Sequence, residues 1–263
     1  MHILVLGGTR FVGLHVVETA LAAGHRVDVF SRGSSPIPPG TRHVPGDRDG
    51  DLSGLDGEWD AVVDVSAYLP RQVLCERAAE EAFAGEVLSI RPTFVVGPYD
   101  YTDRFTWWLR RVRRGGRMVA PVEPSLPLAF VDGRDLGRFT VRLAEGDAVG
   151  AVNASGPAER TTWGEVLALA REVTGSDADF EWLPEAFLRE RGALPSGLPM
   201  VYPVPWRDVE PFALERAHHL GLEHTDVAAT IRDTLAWHDA HGEAITGLDE
   251  DAEAELLRAW DGR

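Results

Sequence analysis

The sequence predicts an α/β fold built on a doubly wound parallel sheet, and three observations predict it. An apolar run, Leu4-Val5-Leu6, meets the glycine turn Gly7-Gly8-Thr9-Arg10-Phe11-Val12-Gly13 and continues into a helical pattern. Apolar runs then alternate with helical stretches, which implies parallel strands joined by crossover helices. A chain of 263 residues is long enough to bury the core of one large α/β unit or of two small lobes.

After the turn, Val12, Val16, Val17, Ala20 and Leu21 recur at helical spacing, with Gly24 as a stop signal. Residues 25–30 alternate, with Val27 and Val29 on one face, and form a second strand ending at Ser31-Arg32. The Ser- and Pro-rich stretch 33–40 is a loop. His43-Val44-Pro45 is a short third strand reaching Asp47-Arg48, and 61–65 is a buried fourth strand ending at Ser66-Ala67-Tyr68. A helix over 70–83 leads to a strand at 87–90, and a helix over 105–112 runs into the basic turn 113–117. A strand at 128–131, a helix over 134–144 and a short strand at 151–154 follow. Thr161-Thr162-Trp163-Gly164-Glu165 is a good N-terminal capping sequence for a helix to Val173. Four prolines between 192 and 205 exclude helix there, and two further helices, near 211–220 and 226–238, precede an acidic amphipathic tail at 249–260. In domain terms, 1–96 with 128–155 forms the dinucleotide-binding core, and 97–127 with 156–263 forms a substrate-side lobe.

Composition narrows the function. A formal net charge of −16 argues against general nucleic-acid or anionic-membrane binding, because those surfaces would repel the chain. Cys75 is the only cysteine, which excludes an intrachain disulfide and fits a reducing compartment. No apolar run is long enough to span a bilayer, and Met1-His2 leads straight into a strand, so the expected location is cytoplasmic. All 26 basic residues are arginine. Any mechanism that needs a lysine ammonium from this chain is therefore excluded.

A glycine turn opening a helix suits a pyrophosphate: backbone N–H groups and the helix dipole face the anion, and glycine lets it approach. Several further motifs follow in order: Gly46-Asp47-Arg48, then Arg91-Pro92-Thr93-Phe94-Val95-Val96-Gly97-Pro98, then Phe130-Val131-Asp132-Gly133-Arg134-Asp135-Leu136. On these residues the chain resembles the NAD-dependent epimerase/dehydratase family, the extended and atypical short-chain dehydrogenase/reductases. The resemblance implies a Rossmann-like sheet and oxidoreductase or epimerase chemistry on a small-molecule substrate. It implies that Gly7, Thr9, Arg10, Phe11, Val12 and Gly13 hold the pyrophosphate, that Asp47, beside Arg48, meets the adenine, and that Ser66 and Ala67 flank the ribose near the nicotinamide. Pro92 then lies near the carboxamide. An acid normally ends the second strand and binds a ribose 2′-OH; here Ser31 and Arg32 stand there, and with Arg10 they favour NADP, with NAD as the alternative.

One portion of the pattern is missing. The family carries a Tyr-x-x-x-Lys pair on a helix, and between Tyr68-Leu69-Pro70-Arg71 and Leu74-Cys75-Glu76-Arg77 it would have several dozen more residues, including that helix and a strand. Removing one complete strand-and-crossover unit leaves a sheet shortened by about one strand whose connections stay right-handed. Tyr68 is the best surviving substitute acid, although a structural or substrate-stacking role is the favoured reading of it. Tyr99, Asp100, Arg104 and Trp107 are candidates for substrate contact, against the plain reading of a helix start. Trp107-Trp108 with Arg110, Arg111, Arg113, Arg114 and Arg117 mixes aromatics with positive charge; a solvated helix face or a phosphate pocket is favoured over nucleic acid in so acidic a chain. The histidines do not show metal-ligand spacing. Three readings remain open: an NADP-dependent oxidoreductase or epimerase with altered catalytic residues, a catalytically silent nucleotide-binding sensor or scaffold, and a non-redox enzyme, cyclase- or isomerase-like, reusing the pocket. Oligomerisation is left open.

Overall fold

The computed structural model describes residues 1–47, 49–65, 72–82, 86–201, 213–242 and 246–263, with 72–75 described by backbone alone. The chain runs β1 (His2–Leu6), α1 (Phe11–Ala22), β2 (Arg26–Ser31), β3 (Arg42–Pro45), β4 (Ala61–Asp64), α2 (Gln72–Ala82), β5 (Leu88–Pro92) and β6 (Phe94–Val96). It continues through α3 (Arg104–Arg114), β7 (Arg117–Pro121), β8 (Pro127–Asp132), α4 (Gly133–Ala144), β9 (Gly150–Ala154), β10 (Gly156–Thr162), α5 (Trp163–Thr174) and β11 (Asp179–Leu183). Among the described residues, four helices close it: α6 (Glu185–Glu190), α7 (Glu215–His219), α8 (Val227–His241) and α9 (Glu250–Asp261).

Two compact units share these elements. The first comprises Met1–Val95, Val131–Ala154 and Ala213–Glu223. Its main sheet has the order β3-β2-β1-β4 and is parallel throughout, with Val5 opposite Val29 and Val63, and Phe30 opposite Val44. Strand β1 is apolar on both faces and buried, as a central parallel strand requires. Ile3, Val5, Val27 and Val29 pack against Val16, Val17 and Ala20 of α1 and Val141 of α4. A second parallel pair, β5 with β9, packs on the other side of α4 through Leu136, Phe139, Leu143, Val152 and Ala154. Sequence reasoning put residues 213–223 in the substrate lobe; they go with the first unit, because Ala217 and Leu222 complete this cluster.

Strand β4 departs from expectation. Its run Ala61-Val62-Val63-Asp64 reads as a buried strand, yet Val62 is 51% exposed. Among the described residues β4 pairs with β1 alone and β5 with β9 alone, so the sheet stops at β4.

The second unit comprises Val96–Phe130, Ser155–Phe212 and His224–Arg263. Helices α3 and α5 meet through Trp108 and Trp163, both buried, with ring centroids 4.7 Å apart. Helix α5 starts on the expected capping box: Glu165 N–H donates to Thr162 Oγ1 at 3.3 Å and Thr162 N–H to Glu165 Oε2 at 2.8 Å. Strands β7 and β11 pair in parallel, an element pair sequence reasoning missed, and the expected 113–117 turn begins later because α3 extends through Arg114.

Candidate nucleotide-binding site

The turn between β1 and α1 is shaped by its glycines. Gly7 adopts φ +88° and donates its N–H to the Phe30 carbonyl at 3.1 Å, which fixes the turn to the end of β2. A Cβ on Gly13 would lie 2.3 Å from the Gly7 carbonyl oxygen and 2.9 Å from the Gly8 Cα, so the first turn of α1 folds directly against the loop. Gly8 is less tightly enclosed, with Val17 at 2.9 Å from its Cβ position. Among the described residues no side chain caps the start of α1, and its first turn carries no acid. A helix N-terminus left in this condition accepts an anion. Phe11 turns inward, edge-on to the buried His15 at 6.3 Å between ring centroids, and Val12 packs on the α4 cluster.

The place of α1 is set by close contact with α4. A Cβ on Gly137 would meet the His15 backbone at 2.9 Å, and one on Gly133 would meet its ring at 2.7 Å. The Asp132-Gly133-Arg134 motif is thereby explained structurally: Asp132 caps α4 by accepting from Arg134 N–H at 2.8 Å, and Gly133 makes room for α1.

Arg10 leaves the turn and reaches the loop after β2, where its Nε donates to Ser35 Oγ at 3.0 Å. Ser31 ends β2; its Oγ lies 3.2 Å from His43 Nε2 and accepts from Gly33 N–H at 3.4 Å. Arg32 follows, exposed. Gly7, Arg10 and Ser31 thus converge through hydrogen bonds onto one end of the parallel sheet, and the residues that bind them together there, Ser35 and His43, were not singled out from the sequence. Asp47 shapes its own loop, accepting from Asp49 N–H at 3.1 Å and donating its N–H to Asp51 O at 2.9 Å. Pro92 ends β5 opposite Ala154, exposed. Arg48, Ser66, Ala67 and Tyr68 lie outside the described residues.

Away from this end, β2 carries a carboxylate that sequence reasoning passed over. Asp28 is fully buried and accepts from Trp59 Nε1 at 2.8 Å, from Arg42 Nε at 3.0 Å and from Arg42 Nη2, with His2 Nε2 2.7 Å away. The Arg42 guanidinium holds this carboxyl well below the usual carboxylate range.

The four substrate candidates belong to the second unit. Tyr99 meets Trp237 edge-on at 5.9 Å, and Arg104 Nε donates to Thr102 Oγ1 at 3.1 Å. Asp100 is buried, accepting from Thr102 N–H at 2.9 Å and Oγ1 at 2.6 Å, and burial pushes its carboxyl pKa up. Trp107 is also buried, with its indole N–H given to Leu248 O at 3.0 Å. Asp103 begins α3, its Oδ1 3.8 Å from Nδ1 of the buried His238, whose pKa burial and the Arg110 charge lower. Much of the basic cluster is committed to carboxylates. Arg111 pairs with Glu253 at 2.6 Å, Arg113 with Asp239 at 2.7 Å, Arg114 with Glu250 and Glu253, and Arg117 with Glu181 and Asp261. Among the described residues no group of three or more metal-ligating side chains occurs, and no helix is long and apolar enough to cross a membrane.

No protein-family model matches the chain. The chloroplast stem-loop binding protein of 41 kDa b of Arabidopsis thaliana is 27% identical over 186 positions, covering 45% of this chain and 48% of the relative. The chain thus spans about half the length of the curated relative it matches. Because 45% of 263 residues is about 118, several dozen of those positions stand opposite no residue of this chain. Solved structures align over nearly the whole chain. The enzyme WbmF of Bordetella bronchiseptica in complex with NAD+ has a TM-score of 0.65 at 14% identity, covering 99% of this chain and 97% of its own. UDP-glucuronic acid 4-epimerase of Bacillus cereus in complex with NAD has a TM-score of 0.64 at 14% identity, covering 90% and 96%. UDP-N-acetylglucosamine 4-epimerase of Methanobrevibacter ruminantium M1 has a TM-score of 0.67 at 14% identity, covering 91% and 98%. The fold is the α/β, Rossmann-like parallel-sheet fold of these solved structures.

Proposed function

We propose that the chain is an NADP(H)-binding protein of the epimerase/dehydratase type whose standard catalytic pair has been lost. The observation that carries the reading is the packing of Gly13 on Gly7, with the uncapped, acid-free start of α1 beside it. That arrangement fits a pyrophosphate. Arg10 and Arg32 at the end of β2, where no acid stands to favour a ribose 2′-OH, support NADP over NAD. A bound nicotinamide would supply hydride exchange; the chain's own residues orient the dinucleotide and neutralise its phosphates.

Loss of the catalytic pair is supported by three facts. The chain has no lysine. Its main sheet stops at β4 with Val62 exposed, and β5 pairs only with β9 among the described residues. The alignment with the chloroplast relative leaves several dozen of the relative's positions unmatched. Together they fit the loss of one strand-and-helix unit between β4 and β5, the unit that would carry the tyrosine and lysine. A nucleotide-binding sensor or scaffold is therefore favoured over an oxidoreductase working through Tyr68, Tyr99 or Arg104. Binding to a stem-loop, the property in the relative's name, is not carried over, because Arg111, Arg113, Arg114 and Arg117 of the basic cluster are paired with acids.

The test is titration of NADPH and NADH, followed by nucleotide fluorescence, beside a carbonyl panel assayed for NADPH oxidation. Saturable NADPH binding without turnover is expected. Failure to bind either nucleotide overturns the reading, and turnover of a carbonyl substrate restores the oxidoreductase.

A further inference from the structure

We propose that Ser35 and His43 are positioning residues that set a preference for NADPH over NADH, each by fixing one group at the end of β2. The inference rests on the reading of the 7–13 turn as a dinucleotide site.

The donor and acceptor roles around Ser31 can be assigned from chemistry. His43 Nε2 lies 3.0 Å from the Ser31 carbonyl oxygen, which can only accept, so Nε2 carries the hydrogen. The same N–H reaches Ser31 Oγ at 3.2 Å, and the Gly33 N–H donates to that oxygen at 3.4 Å. Ser31 Oγ therefore accepts from two sides, and its own hydroxyl proton is directed to a third partner. A hydroxyl held as a donor suits a group that only accepts. A 2′-phosphate is such a group, whereas a ribose 2′-OH is best met by an acid. Gly33 permits this arrangement: at φ +74° it brings the loop over His43, and a Cβ there would stand 3.3 Å from the imidazole Cε1.

Ser35 does the corresponding work for Arg10. An exposed arginine has many rotamers, and ordering it on binding weakens the complex. The bond from Nε to Ser35 Oγ orients the guanidinium plane before any ligand arrives. The loss of rotamer freedom then falls on folding rather than on binding. Arg10 is tied to Ser35 in the loop after β2, and the Gly7 N–H bond to the Phe30 carbonyl ties the turn to the residue before Ser31.

The experiment measures Kd for NADPH and NADH by nucleotide fluorescence on the wild type and on Ser35→Ala, His43→Phe and His43→Gln. Ser35→Ala and His43→Phe each weaken NADPH about fivefold to tenfold, the worth of one hydrogen bond, and leave NADH within about twofold. His43→Gln, whose amide N–H can replace Nε2–H, retains most of the NADPH affinity. Ser35→Ala, in a surface loop, keeps the test valid if His43→Phe does not fold. An unchanged NADPH:NADH ratio in Ser35→Ala and His43→Phe, or an equal loss for both nucleotides, overturns the inference while leaving the dinucleotide site standing. A wild type that binds neither nucleotide overturns the site itself.

Discussion

Gly13 and Gly7 touch so closely that a single methyl group on Gly13 would sit 2.3 Å from the Gly7 carbonyl oxygen, well inside van der Waals contact. Gly13→Ala must therefore push α1 away from the turn. We expect it to abolish nucleotide binding and to destabilise the protein by about 2 kcal/mol, in the range of overpacked cores. Nucleotide titration and denaturant unfolding on the same variant check both effects. Gly24→Ala serves as the control: nothing stands within 4 Å of its Cβ position, so it carries only the strain of φ +82°.

Asp28 makes stability fall in acid. Its folded pKa is held below the ordinary carboxylate value, chiefly by the bonds from Arg42. The stabilisation is therefore complete above a pH of about 4 and is lost as pH falls below it toward the folded value. Asp28→Asn is expected to remove about 2 kcal/mol at neutral pH, since Trp59 and Arg42 lose a charged acceptor. Its unfolding free energy should vary less between pH 5 and pH 3 than that of the wild type. Urea unfolding across that range decides the matter.

Glu253 supports the second unit from α9. It is buried and accepts from Arg111 Nε at 2.6 Å, Arg114 Nη2 at 2.7 Å and Val119 N–H at 3.1 Å. Glu253→Ala strands the buried Arg111 guanidinium and should destabilise by about 3 to 5 kcal/mol. Arg114→Ala, which removes a partly exposed partner, should cost about 1 kcal/mol or less. Thermal unfolding of the two variants side by side gives the comparison, and equal losses would contradict this placement of the charges.

Strand β4 supplies the fourth prediction. Val62→Thr should change stability by no more than about 0.5 kcal/mol, because the side chain is already half in solvent. Val5→Thr places a hydroxyl in the fully buried β1 and should cost about 2 kcal/mol. Similar losses from both would mean that Val62 is covered in solution.

The sequence made the order of elements legible because apolar spacing reports backbone period directly. The β1-turn-α1 unit, the second and third strands and the Thr162 capping box lie where residue spacing put them. Burial was less legible. Ala61-Val62-Val63 has the composition of a central strand, but composition records what a strand can bury, whereas exposure depends on which neighbours flank it. Asp28 escaped for a related reason: in an alternating strand a carboxylate reads as solvent-facing, and its partners Arg42 and Trp59 come from later in the chain. Ser35 and His43 were invisible for the same reason, since hydrogen bonds between side chains distant in sequence leave no periodic trace. The arginines of α3 and β7 read as a basic face in the sequence, whereas the fold pairs them with acids of α8, α9 and β11.

The clamp of Gly133 and Gly137 on His15 has a kinetic consequence. The helix that opens at the glycine turn is held by a helix about 120 residues further along the chain, so this contact closes a very long loop. We expect the N-terminal strands to form from local pairings and the turn to acquire its final geometry only once the later helix has docked. A nascent chain released before Val131 would hold every residue of the glycine turn and still lack the brace that shapes it.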